Sequence, residues 1–202
     1  VYCGMVGAFV TPYRVGDYPA RAMLLEDKTL LGKATVLGFV GGAAQTMVII
    51  LFGIFPSIYY LNNNLNLLWA LLGFVICLGV ILLAPRLIKQ PFSLPQLLGA
   101  MGWSCLRSFV FSLQLYAVLL FVGTPITLSE AICSIPLYYL LVTVTPNMPA
   151  ADLGIRGGWA IAVFVRYTTP PLITLAILII YIVNTLLPTL IGSFLLYRRP
   201  TK

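Results

Sequence analysis

"LLGAMGWSCLRSFVFSLQLYAVLLFV", from Leu97 to Val122, contains a single charged side chain, Arg107. About 20 apolar residues in helical conformation cross the hydrocarbon core of a bilayer, so this stretch predicts a transmembrane helix. The rest of the chain agrees. Of its 202 residues, 60% are hydrophobic and 8% are charged, against roughly 25% charged in soluble domains. The composition predicts an all-α, multi-pass bundle forming a single integral membrane domain over residues 1–202.

The same composition excludes several kinds of chemistry. The formal net charge of +7 is spread thinly along the chain, whereas nucleic-acid binding needs a clustered basic face, so no nucleic-acid partner is expected. There is no histidine, which removes the commonest general base and metal ligand. The four cysteines, Cys3, Cys77, Cys105 and Cys133, are far apart and form no C-x-x-C pair. No metal and no cofactor are expected. The chain opens on Val1 inside an apolar run that lacks the basic leader and cleavage site of a signal peptide. We expect further spans to precede it.

Working outward, other apolar runs predict spans over Ala34–Ser57, Leu67–Ala84, Leu128–Val144 and Pro171–Tyr197. Residues 154–168 make a shorter segment that either crosses at a tilt or re-enters. Arg21, Lys28 and Lys33 precede the first of these spans, Arg86 and Lys89 follow the second, and Arg198, Arg199 and Lys202 end the chain. The loops "LNNNLN" and "GTPITLSE" carry no Lys or Arg. The positive-inside rule puts the basic segments in the cytoplasm and the bare loops outside, which suits a cell (inner) membrane protein. Glu130, at an outer helix start, is placed to cap it. Gly38 and Gly42 form a G-x-x-x-G, a helix-packing signal that also permits an oligomer. Gln45, one turn on, is expected to face protein or a polar cavity.

Two stretches break the apolar pattern. In "TPYRVGDYPARA", Thr11 to Ala22, Pro12 ends an apolar segment and Pro19 suits the first turn of a new helix. Gly16 relaxes the backbone, and Asp17 is placed at the N-cap with Arg21 four residues later. In "TPNMPAADLGIRGG", Thr145 to Gly158, Pro146 and Pro149 break the chain, Asp152 is placed to cap, and Arg156 again follows four residues later. Paired interrupted helices in two halves of a membrane chain point to a binding site in an inverted repeat. The simpler alternative is a pair of interfacial loops whose arginines touch headgroups.

The first stretch resembles the "PGRxGE" signature of the lysylphosphatidylglycerol synthase/flippase transmembrane family. The downstream "GIRGG" resembles that family's "P…GGxGxRE" element. Pro12, Arg14, Gly16 and Asp17 match the first motif, with Tyr13 where glycine is usual; Pro149, Gly154 and Arg156 match the second. Gly157 stands where the family has Glu, leaving Asp152 as the nearby acid. "GGAAQTMVIILFG" after the first motif and a tryptophan-bearing span before the second also fit the order. The resemblance implies a polytopic domain of inverted repeats that moves a lipid or lipid-linked group between leaflets. It also implies additional N-terminal spans. The aminoacyl-transferase domain of some members is not encoded in these 202 residues.

Arg107 is the third unusual charge. A charged side chain this far into a span costs on the order of 3 kcal/mol by insertion scales and by default marks function, unless it snorkels to the near surface. Gln114 lies two turns later on the same face. The expected substrate-binding set is therefore Arg14, Asp17, Arg21, Gln45, Arg107, Asp152 and Arg156. Its arginine excess suits the phosphate of a phospholipid or polyprenyl-phosphate lipid. A membrane-embedded transferase or accessory protein acting on polyprenyl-phosphate-linked glycans is the alternative. It lacks a D-x-D or E-x-x-E pair. A scaffold without transport is a third possibility, which the charged breaks disfavour.

Overall fold

A computed structural model of the chain describes residues 16–22, 31–61, 94–145 and 151–197, together with Gly7, Leu72 and Val75. Among these residues the structure is helical with short connections and no strand. The helices are α1 (Asp17–Ala22), α2 (Leu31–Leu61), α3 (Leu94–Phe121), α4 (Leu128–Val144), α5 (Asp152–Phe164) and α6 (Pro170–Tyr181). A π-helical turn, Ile182–Leu186, joins α6 to α7 (Leu187–Tyr197). Three stretches are long and apolar enough to cross a membrane: Ala34–Ile54, Leu98–Phe121 and Pro170–Phe194. They coincide with three of the expected spans. The fourth expected span is α4 itself, whose 17 residues extend about 26 Å. The expected span Leu67–Ala84 lies outside the described residues apart from Leu72 and Val75, both helical.

Local chemistry fixes the turn between α3 and α4. Gly123 adopts φ +85°, the left-handed conformation that glycine tolerates best. Its N–H bonds to Leu120 O at 2.9 Å, and Thr124 N–H bonds to Leu119 O at 3.0 Å. This is the paired closure of a Schellman motif. Pro125 follows, then Thr127 caps α4. Thr127 and Glu130 form a reciprocal capping box, with Thr127 N–H donating to Glu130 Oε2 at 2.9 Å. Glu130 thus caps the helix start as the sequence predicts.

The contacts set helix directions. Tyr139 donates its hydroxyl to Phe111 O at 3.1 Å, across the antiparallel α3–α4 pair. Gln45 bonds Ser108 on α3, while Met101 packs against Val40, Ala44 and Met47. On the other side Ile50 packs with Leu140, and Gly53 touches Pro136 and Leu140, so α2 and α4 are antiparallel. Both α2 and α3 pack antiparallel to α4, so they run parallel to each other. A Cβ on Gly53 would stand 2.5 Å from Leu140 Cβ and 3.0 Å from Pro136 O; only glycine allows this approach. Small residues serve this purpose in membrane bundles, where van der Waals packing rather than water exclusion joins helices. Gly38 and Gly42 are both half-buried.

The main core lies where α3, α4, α5 and α6 meet. Leu115 and Leu119 of α3, Phe164 of α5, and Ile173 and Ala176 of α6 are each fully buried within it. Tyr138 and Phe164 stack at a tilt, 5.9 Å apart, and Ser134 and Tyr167 share a hydrogen bond of 3.1 Å. With Thr145 tied to Trp159 at the other end, these pairs show α4 and α5 as an antiparallel hairpin.

One expectation about the breaks needs correction. Asp152 is the first residue of α5, not its cap; Ala151 occupies the cap position and makes no side-chain cap bond. Asp17 likewise is the first residue of α1, and Gly16 O accepts the Ala20 N–H at 3.1 Å. In each case an adjacent basic partner or the helix dipole suits an acid in the first turn. Pro19 does fall in the first turn of α1, as expected.

Candidate functional site

The second break is held shut from both sides. Thr145 ends α4, and its hydroxyl donates to Leu141 O at 2.8 Å. The same oxygen accepts the Trp159 indole N–H at 2.8 Å. One turn nearer the start of α5, Arg156 Nε donates to Asp152 Oδ1 at 2.7 Å. Asp152 is only 3% exposed, and the guanidinium lies beside the Tyr138 hydroxyl of α4. A buried ion pair is costly unless its geometry is good. Here the i,i+4 spacing of one helix supplies that geometry. Gly154 stands exposed with open space where a Cβ would project. Pro146 and Pro149 lie outside the described residues.

At the first break the structure is described on its C-terminal side and at Gly7. A Cβ on Gly7 would meet Gly16 O at 2.6 Å and Ala20 Cβ at 2.7 Å. The two sides of the Thr11-Pro12 stretch therefore lie against each other, and Gly16 is buried there. Pro12 and Arg14 lie outside the described residues. Arg21 is within α1, and Asp17 is half-buried.

Of the other candidates, Gln45 lines a groove between α2, α3 and α4 with a volume of about 480 Å³, and Arg107 lies beside it. Its walls are mostly apolar, including Phe52, Phe109, Ile132 and Tyr139. Gln45 faces protein here: its Nε2 donates to Ser108 Oγ at 2.7 Å. Pro56 and Pro136 stand in opposite walls. Having no N–H, neither returns a helical bond to the carbonyl four residues earlier, on Phe52 and Ile132. Arg107 is exposed, and its guanidinium carbon lies 5.3 Å from the centroid of the Phe111 ring, which is part of the groove wall. Phe111 is one helical turn after Arg107 on α3.

Gln114 lies two turns after Arg107 on the same face of α3, as the sequence predicts. Gln114 forms two amide bonds with Asn184: its Nε2 donates to Oδ1 at 3.2 Å, and Asn184 Nδ2 donates to Oε1 at 2.9 Å. Asn184 sits in the π-helical turn, a feature that sequence reading missed. Pro188 explains it. Its ring would clash with Asn184 O in a regular helix and has no N–H to bond it, and the chain instead closes Leu187 N–H onto Ile182 O. The signal was an amide four residues ahead of a proline inside an uninterrupted apolar run.

Among the described residues no group of three or more His, Cys, Asp or Glu side chains is placed to hold a metal ion. Among the described residues the polar candidates are arginine, carboxylate, amide and hydroxyl groups set in apolar helices. No protein-family model, curated protein or solved structure matches the chain.

Proposed function

We propose that this chain is a flippase-like, multi-pass protein of the cell (inner) membrane. In this reading it moves a phospholipid or polyprenyl-phosphate lipid between leaflets, and its two charged breaks belong to an inverted repeat. The observation that carries the reading is the Asp152–Arg156 pair at the start of α5, a buried carboxylate held by a half-buried guanidinium. Membrane helices rarely keep ionisable side chains unless they are used.

The chemistry follows from the pair. Asp152 engages Arg156 through Nε, and a guanidinium has further N–H donors in a planar fork that matches phosphate oxygens. An arriving anionic headgroup competes with Asp152 for that fork. Asp152 then resumes its hold once the headgroup leaves, so Arg156 is never without a counter-charge. Arg14, placed in the matching break by the sequence, performs the same role in the other half.

The test is leaflet exchange by the purified chain in liposomes containing a fluorescent anionic phospholipid. Exchange well above protein-free vesicles is expected. No exchange with any anionic lipid offered, from protein that is folded by circular dichroism, would contradict the reading.

A further inference from the structure

We infer that the groove between α2, α3 and α4 holds one hydrocarbon tail of an anionic phospholipid, with Arg107 gripping its phosphate. The inference rests on the reading that this chain handles anionic lipids, but not on movement between leaflets.

Four observations support it. First, the volume of about 480 Å³ lies within the roughly 300–1,000 Å³ of small-molecule sites. Second, the α3 wall runs from Cys105 to Tyr116, about 16 Å along the helix; this makes the groove elongated, as a tail requires. Third, large apolar side chains on its rim, among them Phe52, Phe109 and Ile132, are more than half exposed, so a tail can enter sideways. Fourth, Arg107 supplies a fixed positive charge beside the α3 wall, its guanidinium carbon 5.3 Å from the ring of the lining residue Phe111. It lies nine residues into the Leu98–Phe121 span, about 13 Å along the helix from its start. Among the described residues it contacts the Phe111 ring and no carboxylate. A guanidinium that far into a span needs an anion or water, and a ring face beneath it leaves its edge free to bind two phosphate oxygens. The ligand this arrangement fits is amphipathic: a chain in the groove and an anion beside its Phe111 wall.

The probe is phosphatidylglycerol with a photoactivatable diazirine in one tail, present as a trace in phosphatidylcholine vesicles carrying the full chain. The second arm uses phosphatidylcholine with the same tail. Adducts of the anionic probe are expected on the groove walls of α3 and α4, around Ser112 and Cys133. Arg107→Gln should lower anionic labelling roughly tenfold, the loss expected for one charge-assisted contact, and leave zwitterionic labelling unchanged. Arg107→Lys should restore part of it. Ile132→Trp, at an exposed rim position, should lower groove labelling by either probe. Labelling that spreads evenly over lipid-facing positions such as Leu190, or that ignores Arg107→Gln, overturns the inference. So does a chain-to-chain adduct in the groove without a lipid adduct, which would mean that a second copy fills it. Groove labelling in a chain that fails leaflet exchange would uphold this site and remove the translocase reading alone.

Discussion

Trp159 donates its indole N–H to Thr145, joining the two helices on either side of the second proline break at 2.8 Å. The bond spans 14 residues of sequence and sets the mouth of the α4–α5 hairpin. Thr145→Val keeps the shape but removes the acceptor. A half-buried donor left unpaired costs on the order of 1 kcal/mol, so the variant should unfold earlier in a denaturant titration in detergent micelles. Trp159→Phe in the Thr145→Val background should recover part of the loss, because no donor is then stranded.

The Asp152–Arg156 pair predicts an asymmetry between single and double variants. Arg156→Ala leaves a buried carboxylate without its cation and should destabilise by roughly 3 kcal/mol. Asp152→Asn with Arg156→Gln removes both charges and should cost much less. A double-mutant cycle by unfolding checks this; additive single effects would show that the two residues are not coupled.

Gly53 is the tight point between α2 and α4. Gly53→Ala forces a Cβ against Leu140 and Pro136, and overpacking of this kind costs about 1–3 kcal/mol. Gly41→Ala meets open space and should be neutral or slightly stabilising, since alanine favours helix by up to about 1 kcal/mol. Thermal unfolding of both variants in the same detergent makes the comparison.

The Gln114–Asn184 amides should couple by about 0.6–2 kcal/mol, the range found for polar pairs inside membranes. Replacing either by leucine strands its partner, and replacing both should be milder than either alone. Pro188→Ala allows a regular helix and should turn Asn184 away from Gln114. Hydrogen exchange at Ile182–Leu186 would then slow, because the π-helical turn is lost.

Much of the bundle was legible in the sequence. The expected spans beginning at Ala34, Leu97, Leu128 and Pro171 fall on helices within a few residues, because length and apolarity determine them. Glu130 was legible as a cap because its partner, Thr127, is three residues away. The breaks were harder. An acid ahead of an arginine fits either a cap or an ion pair at the same spacing, and Asp152 took the second role because it starts one residue inside the helix. Gln114 was legible as sharing the Arg107 face of α3; its partner, 70 residues away, is invisible to helical periodicity. Gly53 was also missed, since a lone glycine becomes a packing point only once Leu140 is known to face it.

The central claim is that arginines at the two breaks grip a lipid phosphate through their planar forks. The most direct test is leaflet exchange of anionic lipid in liposomes by Arg14→Lys and Arg156→Lys chains, with Arg166→Lys as control, at matched protein content. Arg166 is exposed beside the Tyr167 ring near the end of α5 and belongs to neither break motif. Lysine keeps the charge and loses the bidentate geometry. The prediction is folded protein in all three, exchange strongly slowed at Arg14→Lys and Arg156→Lys, and near wild-type exchange at Arg166→Lys. Wild-type rates in both break variants would contradict the account and leave those arginines with a purely structural role.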